Sequence, residues 1–334
     1  MSMTAQRKDI SDTDVIHEFA QKVRNKEYLQ HLYLLTVADI RATNPELWNA
    51  WKNSLINELY SETVNALQDG LQNPATLAER LLQNKHDARA ELVKLGFSNE
   101  IIDYAWRHTN DDYFLRYSTE EIAWHTQAIA SSKDADLPLV LLHTNTQHGS
   151  AEVFIYAKDQ GPIFSISTAT LDQLGLTILE ARIITTQDQY VLNSFQVLEQ
   201  SGAPINESYR KAHICMALRN NLLNGTVKDQ INIHRLSKSR QAIHFPIPTS
   251  VKFLPDLSNR NSIIEIVTTD RAGLLSIIGK AFIKENINLL SAKITTIGSR
   301  AEDIFYITDR QRQPINDKNK QTEICAKLET VLNR

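Results

Sequence analysis

Two short segments combine residue types and a spacing that could bind a small charged ligand. Residues 270–275 read Asp-Arg-Ala-Gly-Leu-Leu and residues 159–162 read Asp-Gln-Gly-Pro; each lies between a β-rich run and a run with helical spacing. The N–H groups of a helix start favour a carboxylate, aspartate can pair with an ammonium group, and glycine allows close approach to the backbone. Ordinary turn chemistry explains the same residues, so both interpretations stay open here. The candidate ligand-binding residues are Asp270, Arg271, Ala272, Gly273, Leu274, Leu275 and, in the first segment, Asp159, Gln160, Gly161 and Pro162.

One aspartate stands in an unusual setting. Asp39 lies in the largely apolar helical segment 29–40, LQHLYLLTVADI. A carboxylate in an apolar helix is costly unless it is paired, hydrogen-bonded or bound to a metal. Asp39 is therefore a candidate metal ligand, with a partly exposed residue near a helix end as the alternative.

The two ligand-binding segments belong to a repeat. Residues 153–197 can be laid over residues 264–307, which places Asp159 on Asp270. In both copies the apolar alternation changes phase once, between 178 and 181 and between 289 and 292, which predicts a shared β-bulge. Each copy reads strand–helix–strand–strand–helix, and a further strand gives the ferredoxin-like order βαββαβ. For the first copy we expect that strand within residues 231–254, with an extra strand at 138–143 before the repeat.

The first third of the chain is predicted to be helical, because apolar residues recur at three-to-four spacing with almost no glycine. Asn44-Pro45 is typical of a helix start, and Gly70 with Asn73-Pro74 indicates a break. Ser118 and Glu121 fit a capping box that opens another helix. The predicted class is α+β, with an all-α N-terminal segment followed by two ferredoxin-like βαββαβ units.

The composition excludes several kinds of protein. The chain has 334 residues, enough for two or three domains, with 42% hydrophobic and 22% charged residues. A net charge of -3 gives no basic surplus for nucleic acid. Neither a leader-like segment nor an apolar run long enough to span a membrane is evident, so we expect a cytoplasmic protein without a nucleic-acid or membrane partner.

The repeat resembles a tandem pair of ACT domains, which are small amino-acid-sensing modules. The resemblance is carried best by TTDRAGLLSIIGKAF and INLLSAKITTIG in the second copy. In the front third, LYLLTVADIRATNPELWNAWK resembles the end of an HD domain, and DDYFLRYSTEEIAWHT resembles the helical segment that follows it in the bacterial bifunctional PII uridylyltransferase/uridylyl-removing (GlnD) family. TVADIRATNP and EIAWHT are fairly specific to that family. The resemblance implies an HD-domain remnant at 1–60, a helical linker at 61–135 and ACT domains at 136–260 and 261–334.

The resemblance also implies a function. In that family, one domain transfers UMP from UTP to the PII signalling protein, an HD domain removes it, and paired ACT domains report L-glutamine. The resemblance therefore implies that the chain is the regulatory, glutamine-sensing C-terminal part of such an enzyme. The full-length enzyme needs Mg²⁺ or Mn²⁺, and we expect neither bound to this chain.

Two departures from the family pattern limit what this chain is expected to do. Asp39 matches the last metal-binding aspartate of the HD motif, but its partners would lie before Met1, and His86-Asp87 comes in the wrong order. The transferase signature is absent as well, so we expect the chain alone to be inactive. Pro162 replaces the glycine of the second turn and lacks an N–H donor, which weakens the first turn as a site. Two alternatives remain: an HD-plus-ACT alarmone synthetase/hydrolase, or a stand-alone amino-acid-binding ACT module.

Overall fold

The computed structural model describes residues 1–8, 10, 13–43, 48–68, 77–133, 136–145, 149–159, 161–186, 188–225, 247–256, 260–297 and 299–333. Within these residues the protein has the predicted α+β architecture: helices come first, and strands alternate with helices afterwards. The predicted helix start at Asn44-Pro45 and the break at Gly70 and Asn73-Pro74 lie outside the described residues.

The front helices form two groups. The first group packs around the fully buried side chains of Leu29, Ile56 and Leu59, and consists of α1 (Ser2–Arg7), α2 (Thr13–Val23), α3 (Lys26–Thr43) and α4 (Ala50–Gln68). The second group consists of α5 (Leu77–Lys94), α6 (Asn99–Trp106), α7 (Asp111–Arg116) and α8 (Thr119–Ser131).

Helix α8 begins as predicted. The Ser118 side chain accepts a hydrogen bond from the Glu121 N–H, and the Glu121 carboxylate accepts one from the Ser118 N–H at 2.7 Å. This capping box satisfies N–H groups that a helix start otherwise leaves unpaired. It also fixes the first turn of α8 against the sheet described next.

One sheet runs through the rest of the described chain, in the order β1-β2-β4-β3-β7-β9-β6-β5 with β8 beside β9. The strands are β1 (Leu139–Asn145), β2 (Ser150–Lys158), β3 (Leu176–Thr185), β4 (Tyr190–Glu199), β5 (Ser250–Leu254), β6 (Ser262–Thr269), β7 (Ile287–Lys293), β8 (Thr296–Ile297) and β9 (Arg300–Asp309). The helices between them are α9 (Ile163–Gln173), α10 (Ser208–Asn224), α11 (Leu274–Lys284) and α12 (Lys318–Leu332). The first unit comprises β1–β4 with α9 and α10, and the second comprises β5–β9 with α11 and α12.

The edge strand of the first unit has a different source from the one that we predicted. We expected it within residues 231–254, but β5 of that stretch pairs with β6 of the second unit. The edge of the first unit is filled by β1, which pairs antiparallel with β2. Each unit therefore takes its fourth strand from the segment before it, so the order along the chain is ββαββα while the spatial order stays ferredoxin-like. The remainder of the predicted strand, residues 231–246, lies outside the described residues.

The predicted β-bulges are confirmed in both units. The β3–β4 register shifts between Ile178 and Glu180, and the β7–β9 register shifts between Leu289 and Ser291. A bulge moves one residue out of the ladder and changes which face later side chains occupy. The change of phase in the sequence was the signature of that shift.

The two units meet along one seam. Strands β3 and β7 pair antiparallel through three residue pairs, Glu180 with Lys293, Ala181 with Ala292 and Arg182 with Ser291. On one face of the sheet, α9 packs against α11, and all four helices share one apolar core with the strands. A Cβ on Gly279 would lie 2.6 Å from Phe164 Cδ1, so glycine permits this close helix contact.

Candidate functional site

The second turn has the backbone geometry expected for a ligand-binding helix start. Gly273 has φ +75° and forms the N-cap of α11, a conformation that side chains with a Cβ rarely adopt. Nothing lies within 4 Å of the position that a Cβ would occupy, so this stretch of backbone is open to approach. The Asp270 N–H donates to the Ser299 carbonyl at 2.8 Å, which anchors the turn to the hairpin between β8 and β9.

The first unit supplies an acid to this turn. The Gly273 N–H donates to Asp172 Oδ2 at 3.2 Å, across the seam from the last turn of α9. Loss of solvent around its carboxyl and the nearby Asp172 charge raise the pKa of Asp270, while its hydrogen bond to the Arg271 backbone lowers it. Two carboxylates therefore lie near one another at the turn, an arrangement that favours a cationic group such as an ammonium ion.

The other predicted residues of the turn are held by packing rather than presented to solvent. The Arg271 guanidinium donates to the Leu332 carbonyl at 2.9 Å, which ties the turn to the end of α12. Its buried Nε atom makes no hydrogen bond to any residue that the structure describes. Leu274 is buried in the shared core, Leu275 packs against that core, and Ala272 is half-buried. Asp270 and the backbone at Gly273 are thus the groups of the turn that a ligand can reach.

The first turn has the same backbone anchor as the second turn but lacks one of its N–H donors. The Asp159 N–H donates to the Gln189 carbonyl at 2.6 Å, and Gly161 has φ +88°. Pro162 forms the N-cap of α9 and has no N–H to donate. Burial raises the pKa of Asp159. Gln160 lies outside the described residues.

The two turns also face different neighbours. The repeat places Asp172 of the first unit on Ile283 of the second. Ile283 is exposed and carries no charge. The position of the second unit that matches Asp172 thus carries no acid, although both turns have the same anchor to a hairpin carbonyl.

A buried acid lies on the strand beneath the second turn. Asp303 of β9 is 1% exposed and its Oδ1 accepts a hydrogen bond from the Thr295 N–H at 3.2 Å. Burial raises the pKa of Asp303 to about 8, the Thr295 N–H opposes that rise, and the Asp270 charge adds to it. In the first unit the corresponding residue is Asn193, also 1% exposed.

Asp39 does not lie in an apolar interior. It is exposed on α3, a helix that also exposes Leu34 and Leu35, and the Thr43 hydroxyl donates to its backbone carbonyl at 2.8 Å. An exposed carboxylate needs no compensating partner, so the cost that singled out Asp39 in the sequence does not arise. Within the part of the chain that the structure describes, no group of three or more His, Cys, Asp or Glu side chains is placed to hold a metal ion.

A cluster of four charged side chains was missed by sequence reasoning, and it lies on the face of the sheet opposite α9 and α11. The Arg182 Nη1 atom lies 3.2 Å from Glu121 Oε2 on α8, and its Nε donates to Glu180 Oε1 at 3.1 Å. Glu180 also pairs with Lys293 of β7, at 2.8 Å. Burial raises the pKa of Glu58 on α4, while the charges of Arg182 and Lys293 lower it. The ion cluster formed by Glu121, Glu180, Arg182 and Lys293 thus joins α8 to both units and lies near α4.

A second cluster, centred on the buried His125, adjoins it. His125 is fully buried, its Nδ1 lies 3.1 Å from the Tyr113 hydroxyl and its Nε2 lies 3.2 Å from Glu152 Oε1. Burial lowers the pKa of His125 to about 3 and raises the pKa of Glu152 to about 7. The His125 ring stacks on Phe154 with 3.8 Å between centroids. With no solvent access, this group serves packing rather than proton transfer to a substrate.

The sequence did contain one signal for both clusters. Glu121 and His125 are four residues apart in EIAWHT, a string that we used for the capping box at Glu121 and as a family signature. Residues four apart share one face of a helix, so both side chains point at the sheet. Nothing in the local pattern identifies their partners on β2 and β3, which come from far along the chain.

Comparison with known proteins places these features in a family. Residues 76–128, which include EIAWHT, match the family model described as the uridylyltransferase GlnD fifth domain. The bifunctional uridylyltransferase/uridylyl-removing enzyme of Methylococcus capsulatus is 51% identical over 316 residues, which cover 95% of this chain and 36% of that enzyme. The enzymes of the same name from Vibrio cholerae and Azotobacter vinelandii are 44% and 42% identical, over 96% and 99% of this chain. A crystal structure of aspartate kinase from Synechocystis aligns with a TM-score of 0.30 and 17% identity, over 56% of this chain and 27% of that one, too little to support an argument.

The fold defines a class first: a helical region followed by two ACT-like α+β units joined edge to edge. The sequence relationship then defines the family. The chain is homologous to the C-terminal part of the bifunctional uridylyltransferase/uridylyl-removing enzymes. It spans a little over a third of the length of these relatives, 36% in the Methylococcus case. None of its described helices is long and apolar enough to cross a membrane.

Proposed function

We propose that this chain is the regulatory, glutamine-sensing part of a cytoplasmic enzyme that attaches UMP to the PII protein and removes it. The homology to bifunctional uridylyltransferase/uridylyl-removing enzymes supports this assignment, as does the pair of ACT-like units. In this proposal UTP and Mg²⁺ or Mn²⁺ are used by the longer enzyme. PII is its protein partner, and Asp39 is a remnant of the HD metal set.

The sensor assignment rests on the carboxylates and the open backbone at the second turn. L-glutamine binds where the two units meet, close to Asp270 and the open backbone of Gly273. Its α-ammonium group lies between Asp270 and Asp172, because two neighbouring carboxylates attract a cation. Its carboxylate or side-chain amide lies along the start of α11, where the helix dipole favours acceptors.

Calorimetry with L-glutamine tests this assignment. We expect a dissociation constant of ~10 µM to ~1 mM, equivalent to roughly 4–7 kcal/mol. Gly273→Val weakens binding strongly, because valine is strained at φ +75° and fills the open approach. The matched change at the first turn, Pro162→Val, has a smaller effect.

Either of two results contradicts the sensor assignment. Equal affinity in the wild type and Gly273→Val moves the site away from this turn. No heat with several millimolar glutamine removes glutamine sensing from this chain.

The proposal further holds that the chain alone neither adds UMP to PII nor removes it. The cluster of His125 and Glu152 has no solvent access, and Asp39 is exposed without a metal-binding group around it among the described residues. Incubation with PII, UTP and Mg²⁺, or with uridylylated PII and Mn²⁺, leaves the mass of PII unchanged. A mass change above a protein-free control disproves this part of the proposal.

A further inference from the structure

A groove of about 630 Å³ lies between the front helices and the two units, away from both strand–helix turns. One wall comes from α1 and the start of α4. The opposite wall comes from β3, the turn after β4, and the residues around the end of β7. This volume is in the range of small-molecule sites. None of the residues of the proposed glutamine site lines it.

The floor of the groove is apolar. Trp51 and Leu55 of α4 are each less than a tenth exposed, and Leu179 of β3 packs against the apolar cluster to which they belong. Around this floor stand hydroxyl groups, among them Thr177 and Thr296. Such a lining suits a ligand with an apolar body and polar ends.

The charged side chains found in the lining of the groove are positive. Among the lining residues that the structure describes, Lys52 and Lys293 are charged and none is acidic. Lys293 is already paired with Glu180 at 2.8 Å. Lys52 forms no ion pair within the described residues, and burial lowers its pKa. A half-buried ammonium group without a counter-charge is costly, and a bound anion offsets that cost.

We propose that this groove binds a small organic anion, with its carboxylate or phosphate on Lys52 and its body on the floor formed by Trp51, Leu55 and Leu179. A ligand in this position contacts the helical region and both units at once. Its binding therefore stabilises the packing of the front helices on the sheet. This effect is independent of glutamine at the second turn.

Calorimetry of the full chain at low salt, with three probes, tests the proposal. Inorganic phosphate, succinate and uridine monophosphate distinguish a phosphate from a carboxylate and show whether a larger body adds affinity. At least one probe is expected to bind with a dissociation constant below ~1 mM. Lys52→Met, which keeps an unbranched apolar side chain and removes the charge, weakens that binding ~10-fold or more. Lys94→Met, at an exposed lysine on α5, leaves it unchanged.

Hydrogen exchange on the wild-type chain gives a readout that does not depend on how the variants fold. The bound probe slows amide exchange at the start of α4 and at residues 177–179, but not in α5. No binding of any probe at 10 mM overturns the proposal. Equal affinity in Lys52→Met and the wild type, or unchanged exchange at both walls under saturating probe, also overturns it.

Discussion

The two units share one backbone and differ in where they place charge. Both have the same bulge and the same hydrogen bond from the turn aspartate to a hairpin carbonyl. In the first unit, Arg182 pairs with Glu180 on the sheet and with Glu121 on α8. In the second unit, the buried acid Asp303 lies beneath an open turn. The first unit thus resembles a docking platform for the helices, and the second keeps the features of a ligand site. The repeat thus gives both units the same backbone, and a few charged residues distinguish what each unit can bind or pack against.

The largest effect is expected when the ion cluster of the first unit is broken. Arg182→Met keeps much of the side-chain volume but leaves the largely buried Glu121 carboxylate without its cation. Removing one partner of a buried pair costs about 3–5 kcal/mol. Urea unfolding should show a lower midpoint with an unchanged slope.

The second unit supplies the control for that experiment. Arg300 pairs with Glu302 on β9, but its side chain is 46% exposed. Arg300→Met is expected to cost less than ~1 kcal/mol, because exposed pairs contribute little. Similar losses for both variants would mean that burial does not distinguish the two units.

The next largest effect is expected at Asp303. Asp303→Asn introduces the residue type that the first unit has at the matching position, Asn193. The folded-state pKa of Asp303 is raised to about 8, far above that of an unfolded aspartate. Its contribution to stability is therefore fully present below about pH 4 and is lost as the pH rises through about 8. At pH 8.5 we expect Asp303→Asn to be more stable than the wild type by ~2–4 kcal/mol, because each pKa unit is worth ~1.4 kcal/mol.

Unfolding free energies from pH 4 to pH 9 check this sign. The gap between Asp303→Asn and the wild type should shrink as the pH falls. Asp112→Asn, at an exposed position on α7, should follow the wild-type curve. A variant that is less stable than the wild type at pH 8.5 would show that the Asp303 carboxylate is needed in its charged form.

The smallest effect is expected at the seam that joins the units. A Cβ at Gly279 would lie 2.6 Å from Phe164 Cδ1 and 2.7 Å from Ser165 Oγ. Gly279→Ala is expected to cost ~1–2 kcal/mol, because the overpacking penalty exceeds the helix propensity that alanine adds. Lys280→Ala, one residue along on the exposed side of α11, is the control. Equal or greater stability in Gly279→Ala would mean that α9 and α11 separate at no cost.

The sequence by itself determined the features that depend on neighbours along the chain. The helical front, the capping box at Ser118, the repeat and both bulges follow from local spacing, and the structure confirms them. The two turns were found in the same way, because Asp270 and Gly273 act within one short segment. The family was also evident from short strings such as EIAWHT.

Only the tertiary structure decided which distant surfaces meet. An edge strand pairs through its backbone, which carries no partner-specific signal, so the sequence could not show that β5 joins the second unit and β1 the first. The same holds for Asp172, which reaches the Gly273 N–H across the seam. Asp39 looked costly because its segment is apolar, yet α3 exposes that surface. Burial is a property of the packed chain, and it decides which charges are paired, shifted or left in solvent.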